Sequence, residues 1–83
     1  MNEYYYAKSV EPLEDYKLLI TFSNGEKKVY DMKSQLDDWY YEPLKNIEFF
    51  KTVHIARHTV VWNGEIDICP EDLYESSKLV VNS

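Results

Sequence analysis

The sequence predicts an α+β fold in which antiparallel β-hairpins, arranged as a meander, are packed by short helices. Two pairs, Asn24-Gly25 and Asn63-Gly64, each separate runs of apolar and β-branched residues, which is the strongest short-range signal for a hairpin. Pro70 then begins a helical pattern with Glu71 and Asp72 in its first turn, where the helix dipole favours acidic side chains. We therefore expect two hairpins and a C-terminal helix after the last strand.

The first three predicted strands are Tyr4–Val10, Tyr16–Phe22 and Glu26–Asp31. A two-residue loop at Asn24-Gly25 pairs Ile20 with Val29, and strand alternation then separates a core face from a solvent face. The core face of this hairpin is predicted to carry Leu18, Ile20, Phe22 and Val29. On the same register, Lys27 and Lys28 suit an exposed strand surface.

The second half of the chain is predicted to hold short helical turns and one long strand. Four apolar side chains of the turns are expected to dock on the sheet: Leu36, Leu44, Ile47 and Phe50. Thr52–Trp62 is the longest strand candidate, and a two-residue loop after it pairs Val61 with Ile66, so that Val61 faces the core and Trp62 the opposite side. We expect residues 1–83 to form one domain, with a helix from Pro70 to about Lys78 and a frayed tail over residues 80–83.

Composition and charge narrow the classes of function. The 83 residues carry a net charge of −6, which disfavours a surface for nucleic acid or for an anionic membrane, since both depend on Lys and Arg. A single cysteine, Cys69, cannot form an internal disulfide, and the N-terminus lacks the pattern of a secretory signal. We expect a cytoplasmic protein without a cofactor, and an acidic domain of this kind suits a basic protein partner.

One string of residues resembles a known family. Trp62-Asn-Gly64-Glu-Ile-Asp67-Ile is followed by Pro70-Glu-Asp-Leu73-Tyr74, and Phe22-Ser-Asn-Gly25-Glu and Tyr30-Asp31 precede both. Together they are similar to the small bacterial domain-of-unknown-function family 2442, over roughly residues 6–74. The residues that carry the resemblance are Phe22, Gly25, Asp31, Trp62, Gly64, Asp67, Pro70, Leu73 and Tyr74.

The resemblance implies an α+β domain of small meandering sheets with short helices, and no established chemistry. It also implies a genetic setting, because family members are often encoded beside another small protein in an arrangement like a toxin–antitoxin pair. Some related domains are joined to a helix-turn-helix module, which we do not expect among these 83 residues. An antitoxin-like binding role, or an accessory domain that contacts a transcription regulator, follows as an expectation.

The one constellation that suggests a metal centre or an enzyme combines His54, His58, Asp67 and Cys69. The two histidines share a strand face, and the predicted register places His58 opposite Cys69. Zinc requires about three or four such ligands in a tetrahedral arrangement, and no Cys-x-x-Cys or His-Glu-x-x-His spacing supports one. We retain a small metal protein or enzyme as the alternative function, and assign no catalytic or metal-binding residue.

Aromatic side chains supply the leading prediction of function. Trp and Tyr are enriched where proteins bind one another, because they combine a large apolar area with a polar tip. The candidate partner-binding residues are Tyr5, Trp39, Tyr40, Tyr41 and Trp62. A hydrophobic core in so short a chain can also absorb such residues, so both locations stay open. We predict a non-catalytic protein-interaction module.

Overall fold

The computed structural model of the chain describes residues 5–80, which form two antiparallel sheets connected by short helices. The strands are β1 (Ala7–Leu13), β2 (Lys17–Phe22), β3 (Lys27–Asp31), β4 (His54–Ala56), β5 (Thr59–Trp62), β6 (Ile66–Asp67) and β7 (Lys78–Leu79). The first sheet has the order β1-β2-β3-β7 and the second the order β4-β5-β6. The predicted α+β class is confirmed.

Short helices link the two sheets. They are α1 (Ile47–Phe50), α2 (Pro70–Ser76) and the 3₁₀ helices Glu14–Tyr16, Lys33–Gln35 and Trp39–Lys45. As predicted, Pro70 begins the last helix. Leu73, within this helix, is fully buried. The helix ends two residues earlier than predicted, because Lys78 and Leu79 pair with β3 as an edge strand. Within residues 5–80 no helix is long and apolar enough to cross a membrane.

The register of the first hairpin differs from the predicted one by a single residue. Ile20 lies opposite Lys28, not Val29, because the loop contains three residues. The Phe22 amide donates to the Glu26 carbonyl at 2.8 Å, and Gly25 between them has φ +90°, as in a three-residue hairpin with a glycine bulge. The slip reverses the faces of β3, so the prediction that Lys28 is exposed was wrong.

Lys28 is only 8% exposed, and aromatic side chains surround its ammonium group. The Nζ atom lies 3.6 Å from the ring centroid of Tyr74 and 5.9 Å from that of Phe22. It also donates to the Tyr74 carbonyl at 2.7 Å. A buried cation is tolerated when hydrogen bonds and aromatic faces replace its water. Lys28 thereby fastens α2 to the first sheet.

The second predicted hairpin has the predicted turn and a shifted register. Asn63 (φ +57°) and Gly64 (φ +71°) are both left-handed, as a type I′ turn requires. Glu65 is an extra residue, so Trp62 pairs with Ile66 and not with Glu65. The predicted alternation also fails in β5, where every residue is buried, because the strand is covered on both faces.

The core joins the two sheets through the middle segment. Leu36, Leu44 and Phe50 are buried as predicted, whereas Ile47 is 38% exposed. Asn46 caps α1 by accepting a hydrogen bond from the Glu48 amide at 3.0 Å. At the other end of the described range, the Val80 amide donates to the Lys27 carbonyl at 3.0 Å. Tyr4 and residues 81–83, on which parts of the predictions fall, lie outside the described residues.

Candidate functional site

The structure divides the predicted partner-binding residues between core and surface. Trp62 is fully buried, and its indole Nε1 donates to the Phe50 carbonyl at 2.9 Å. It therefore belongs to the core, and its place in an exposed binding patch was wrong. Tyr5 is 41% exposed but stacks edge-on against Tyr74 on α2, at 5.5 Å between ring centroids. Trp39, by contrast, is 82% exposed.

Trp39 begins an array of three aromatic rings on a short 3₁₀ helix. Asp38 caps this helix by accepting a hydrogen bond from the Tyr40 amide at 3.0 Å. The Trp39 ring meets the Tyr40 ring edge-on at 6.0 Å, and Tyr40 meets Tyr41 in the same way at 4.9 Å. Edge-to-face contacts of this kind are favourable for aromatic rings. The array holds the Trp39 side chain against a neighbour while leaving most of its surface in water.

The two tyrosine hydroxyls of the array close the open edge of β6. The Tyr40 hydroxyl donates to the Glu65 carbonyl at 3.1 Å and accepts from the Asp67 amide at 3.3 Å. The Tyr41 hydroxyl donates to the Asp67 carbonyl at 3.4 Å. Backbone groups at a sheet edge otherwise bind water or another strand. Side chains here take the place of a fourth strand, and the same bonds position the array.

Carboxylates surround this end of the molecule. Burial raises the pKa of the Tyr41 hydroxyl, and the neighbouring Tyr40 and Asp38 raise that pKa further. Asp67 and Asp72 contribute in the same direction. Burial is the largest cause of this pKa shift, and the nearby carboxylates add to it because negative charge disfavours a second anion. The carboxylates of Asp38, Asp67 and Asp72 would attract a cationic group.

A second feature of the site was missed in the sequence. The predicted strand Thr52–Trp62 is broken by a two-residue turn at Arg57 and His58, which separates β4 from β5. These residues have φ +53° and +71°, although neither is the glycine or asparagine that normally occupies such positions. Neither Arg57 nor His58 is a residue type that strongly predicts a turn, so the sequence predicted a continuous strand. That prediction was wrong.

Three contacts hold the Arg57-His58 turn in place. The His58 ring stacks on the Tyr6 ring, with 4.7 Å between centroids. The His58 carbonyl accepts from the Ala7 amide at 3.2 Å. The Arg57 guanidinium lies 3.6 Å from a carboxylate oxygen of Asp67, in a pair whose members are both largely exposed. The turn is therefore fixed by the start of β1 on one side and by β6 on the other.

Asp67 joins the turn to the aromatic array, because its other carboxylate oxygen lies 3.3 Å from the Tyr40 hydroxyl. The result is one unbroken series of contacts across the surface. We call it the aromatic strip, and in order of contact it consists of Tyr6, His58, Arg57, Asp67, Tyr40 and Trp39. The sequence named two members as binding candidates, and folding joins them to four others.

The arrangement does not assemble the constellation of His54, His58, Asp67 and Cys69 that was kept as the alternative metal or catalytic site. Residues 5–80 contain no group of three or more His, Cys, Asp or Glu side chains placed to hold a metal ion. His54 contacts the Thr52 carbonyl at 3.3 Å, while His58 stacks on Tyr6. Cys69 is exposed at the start of α2. The predicted pairing of His58 with Cys69 was wrong, because Glu65 shifts the register of β6.

The strip is an open surface. An open depression of about 440 Å³ does lie elsewhere, between the β2–β3 loop and the β7 edge, where Glu26, Lys27 and Leu79 line it. No residue of the aromatic strip contributes to that depression. Small-molecule sites are concave and bury most of the ligand, whereas aromatic residues and arginine, which the strip holds, are enriched at protein–protein contacts.

Comparison with known proteins shows which family the chain belongs to. The model of a family described as "Protein of unknown function (DUF2442)" matches residues 7–78. The chain belongs to this family. The predicted membership is confirmed, and the match covers every strand of the DUF2442 domain except the last residue of β7. A search of curated proteins finds no match.

A solved structure supports the fold of this DUF2442 domain. The crystal structure of a protein from Nitrosomonas europaea ATCC 19718, named there "Putative DNA Binding Protein", is 31% identical in sequence, with a TM-score of 0.74. The alignment covers 93% of this chain and 52% of that one. The DUF2442 domain thus spans about half the length of the protein it matches.

Most of the residues behind the family resemblance have structural roles. Gly25 and Gly64 are left-handed turn residues, and the Asp31 carboxylate accepts from the Lys33 amide at 3.0 Å. Phe22, Trp62 and Leu73 are fully buried. Pro70 and Tyr74 begin and anchor α2. Only Asp67 lies in the aromatic strip, so the DUF2442 resemblance indicates the fold more than the function.

Proposed function

We propose that this DUF2442 domain is a non-catalytic protein-interaction module and that the aromatic strip is its contact surface. The observation that carries the proposal is Trp39, a residue type that dominates binding energy at interfaces, standing 82% exposed. Arg57 and Tyr40 add the two other residue types that are enriched at such hot spots. All three lie on one series of contacts.

The contact surface is organised before a partner arrives. Tyr40 and Tyr41 are tied to the backbone of β6 by their hydroxyls, and Asp38 fixes the backbone beneath them. A partner that covers Trp39 would therefore lose little free energy to ordering this segment, since preorganised groups pay a smaller entropic cost on binding. Rigid aromatic side chains are suited to this use for the same reason.

The charge of the chain favours a basic partner. The net charge is −6, and Asp37, Asp38 and Glu42 are exposed within or beside the helix that carries Trp39. Opposite charge speeds the encounter of two proteins and orients them. A small basic protein encoded nearby, with this domain as its antitoxin-like partner in the cytoplasm, is the form of the proposal that the family resemblance favours.

The test is a pull-down of the tagged domain from an extract of its own host at low and high salt, with three forms of the domain. We expect the wild type to retain a basic partner in stoichiometric amount, and to retain less at high salt because charge attraction is screened. Trp39→Ala should lose the partner. Leu79→Ala, which truncates a 54% exposed side chain on β7 outside the strip, should retain it.

Equal retention by Trp39→Ala and wild type would overturn the proposed surface. Failure of every form to retain a protein at either salt concentration would overturn the proposed function. Circular dichroism and thermal unfolding of each variant establish that it is folded. Because Trp39 makes one edge contact and is otherwise in water, its truncation should leave both measurements close to those of the wild type.

A second candidate follows from the name of the Nitrosomonas europaea protein, "Putative DNA Binding Protein". On this alternative the domain is part of a transcription regulator and contacts either DNA or the DNA-binding protein. Fluorescence anisotropy with duplex DNA at low salt distinguishes direct contact with DNA from contact with the DNA-binding protein. We expect no binding by the isolated domain, because its carboxylates repel phosphate. Binding that Arg57→Glu weakens would favour DNA contact.

A further inference from the structure

The two Asn-Gly pairs are places where the backbone can react with a side chain. Asparagine loses its amide group spontaneously when the main-chain nitrogen of the next residue attacks the side-chain carbonyl carbon, Cγ. Glycine favours this attack because it has no Cβ to obstruct the approach. Among the five asparagines of the chain, only Asn24 and Asn63 precede glycine, and glutamate follows both glycines. The local sequence therefore gives the two pairs similar reactivity, and any difference between them comes from the fold.

The Asn24-Gly25 pair is held by hydrogen bonds at both reacting groups. The Gly25 amide donates to the Phe22 carbonyl at 2.8 Å, so the proton on the attacking nitrogen is engaged. The Asn24 side-chain oxygen accepts from the Glu26 amide at 3.1 Å, which fixes the orientation of the group under attack. The loop is also anchored to α2, because the Tyr74 hydroxyl donates to the Glu26 carboxylate at 2.7 Å. Reaction at Asn24 must first break some of these bonds.

The Asn63-Gly64 pair has none of these restraints within residues 5–80. In that range no group accepts a hydrogen bond from the Gly64 amide, and no hydrogen bond engages the Asn63 side chain. Both residues are exposed to water. The turn is closed by the Glu65 amide, which donates to the Trp62 carbonyl at 3.1 Å, and this bond involves neither reacting group. Two groups that are neighbours in one chain and free to approach react readily.

We infer that Asn63 is a site of spontaneous modification in the folded domain, whereas Asn24 is protected. The Gly64 nitrogen forms a bond to Cγ of Asn63, and the side-chain nitrogen leaves as ammonia together with the amide proton of Gly64. The product is a cyclic succinimide. Water then adds to either carbonyl of the ring and opens it, so that residue 63 becomes aspartate or isoaspartate. Water is the co-reactant, ammonia is the leaving group, and no electrons are transferred to or from the protein.

The isoaspartate product would alter the hairpin between β5 and β6. In isoaspartate the main chain runs through the side-chain carbons, so the turn gains a main-chain atom and the former main-chain carbonyl becomes a free carboxylate. Turn length fixes the register of a hairpin. Glu65 follows the altered turn, and its carbonyl accepts from the Tyr40 hydroxyl at 3.1 Å. The modification would therefore displace a contact that positions the aromatic strip, although the reaction itself does not depend on the proposed function.

The test compares the two sites in the same molecule. One sample of the wild type is held in native buffer at mildly alkaline pH, and a second is held at the same pH in guanidinium chloride. Peptide mapping by mass spectrometry follows aspartate and isoaspartate at residues 24 and 63 over time. In native buffer we expect residue 63 to convert several times faster than residue 24. In the denatured sample the two rates should be similar, because unfolding breaks the bonds around Asn24.

Asn24→Asp and Asn63→Asp provide a matched pair of variants. Each removes one reactive amide and adds the same charge at an exposed turn position, and circular dichroism verifies that each is folded. Ammonia released in native buffer is the measurement, and the other amides of the chain contribute equally to all samples. Release from Asn24→Asp should equal that from wild type, whereas release from Asn63→Asp should fall below both.

Two results would overturn the inference. One is conversion of residue 24 in native buffer that is as fast as that of residue 63, or faster. The other is no detectable conversion of residue 63 in native buffer over a period in which the denatured sample converts completely. Neither result bears on the pull-down with Trp39→Ala, so this inference and the proposed function can fail separately.

Discussion

Two consecutive turns of the second sheet, on either side of β5, both have two residues with positive φ. The two turns differ in how well their residue types suit that conformation. Asn63-Gly64 uses two residues that readily adopt positive φ, whereas Arg57-His58 uses an arginine, which rarely does, and a histidine, which does so less readily than glycine. The Asn63-Gly64 turn is fixed by its own sequence. The Arg57-His58 turn is fixed from outside, by Tyr6, by the Ala7 amide and by Asp67.

The comparison indicates which turn serves the fold and which serves a surface. A left-handed conformation costs about 1–2 kcal/mol for an ordinary residue, and such strain persists where surrounding structure enforces it, often at functional positions. Asn-Gly, which adopts positive φ readily, would suit the same backbone at lower cost. Arg57 and His58 instead place a cation and a ring on the aromatic strip. The strained turn is therefore the one with side chains to present.

Moving the strained residues to the relaxed turn should have the largest effect. Asn63→Arg with Gly64→His introduces two less favourable left-handed residues without the Tyr6 stack and the Ala7 hydrogen bond that hold the Arg57-His58 turn. We expect the free energy of unfolding to fall by about 2–4 kcal/mol, measured by urea denaturation. Asn63→Asp, which tolerates positive φ, is the control. A double variant as stable as Asn63→Asp would show that the residue types at this turn do not determine the free energy of unfolding.

The reverse exchange should have a smaller effect of opposite sign. Arg57→Asn with His58→Gly removes the strain but also the Tyr6 stack and the Arg57–Asp67 pair, so we expect a gain of about 1–2 kcal/mol in the free energy of unfolding. Urea denaturation at equal protein concentration measures it. A loss of stability would mean that the contacts outweigh the strain and that the turn is retained for the fold.

The smallest expected effect concerns a third left-handed pair, Asp15 (φ +63°) and Tyr16 (φ +61°). Hydrogen bonds from Lys33 at 2.9 Å and Lys17 at 3.4 Å hold the pKa of Asp15 below its ordinary value of 3.8. A lowered folded-state pKa stabilises the fold above pH 3.8, and this contribution is lost as the pH falls through the folded-state value.

The pH dependence can be isolated with Asp15→Asn, because asparagine also tolerates the left-handed region. We expect the urea midpoints of wild type and variant to differ slightly near neutral pH and to converge in acid. The difference should be small, since both ion pairs are exposed. A gap that is constant with pH would show that the charge of Asp15 contributes nothing.

Local signals in the sequence predict much of this fold. The Asn-Gly turns, the helix start at Pro70 and the buried Leu44, Phe50 and Leu73 follow from residue types and spacing. Strand register does not follow so readily, because an Asn-Gly pair is compatible with an added residue such as Glu65. One added residue exchanges the two faces of a strand, which is why Lys28 was predicted on the wrong side.

The candidate site was less accessible from the sequence. Trp39 and Tyr40 were predicted as binding residues because Trp and Tyr are enriched where proteins bind one another. The hydroxyl contacts of Tyr40 depend on where β6 lies, and the Arg57-His58 turn depends on contacts with β1. Both are consequences of tertiary packing that overrides local preference. The joining of Tyr6 to Trp39 through Asp67 is likewise a property of the folded chain.

The buried ammonium group of Lys28 has a consequence for chemical labelling. An acylating reagent that reacts with the exposed Lys27 in the native state cannot reach Lys28 while Tyr74 covers it. Modification of Lys28 must await an opening in which α2 lifts from the first sheet. The slow rate of that single reaction, followed by mass spectrometry, therefore measures how often the C-terminal helix unfolds locally.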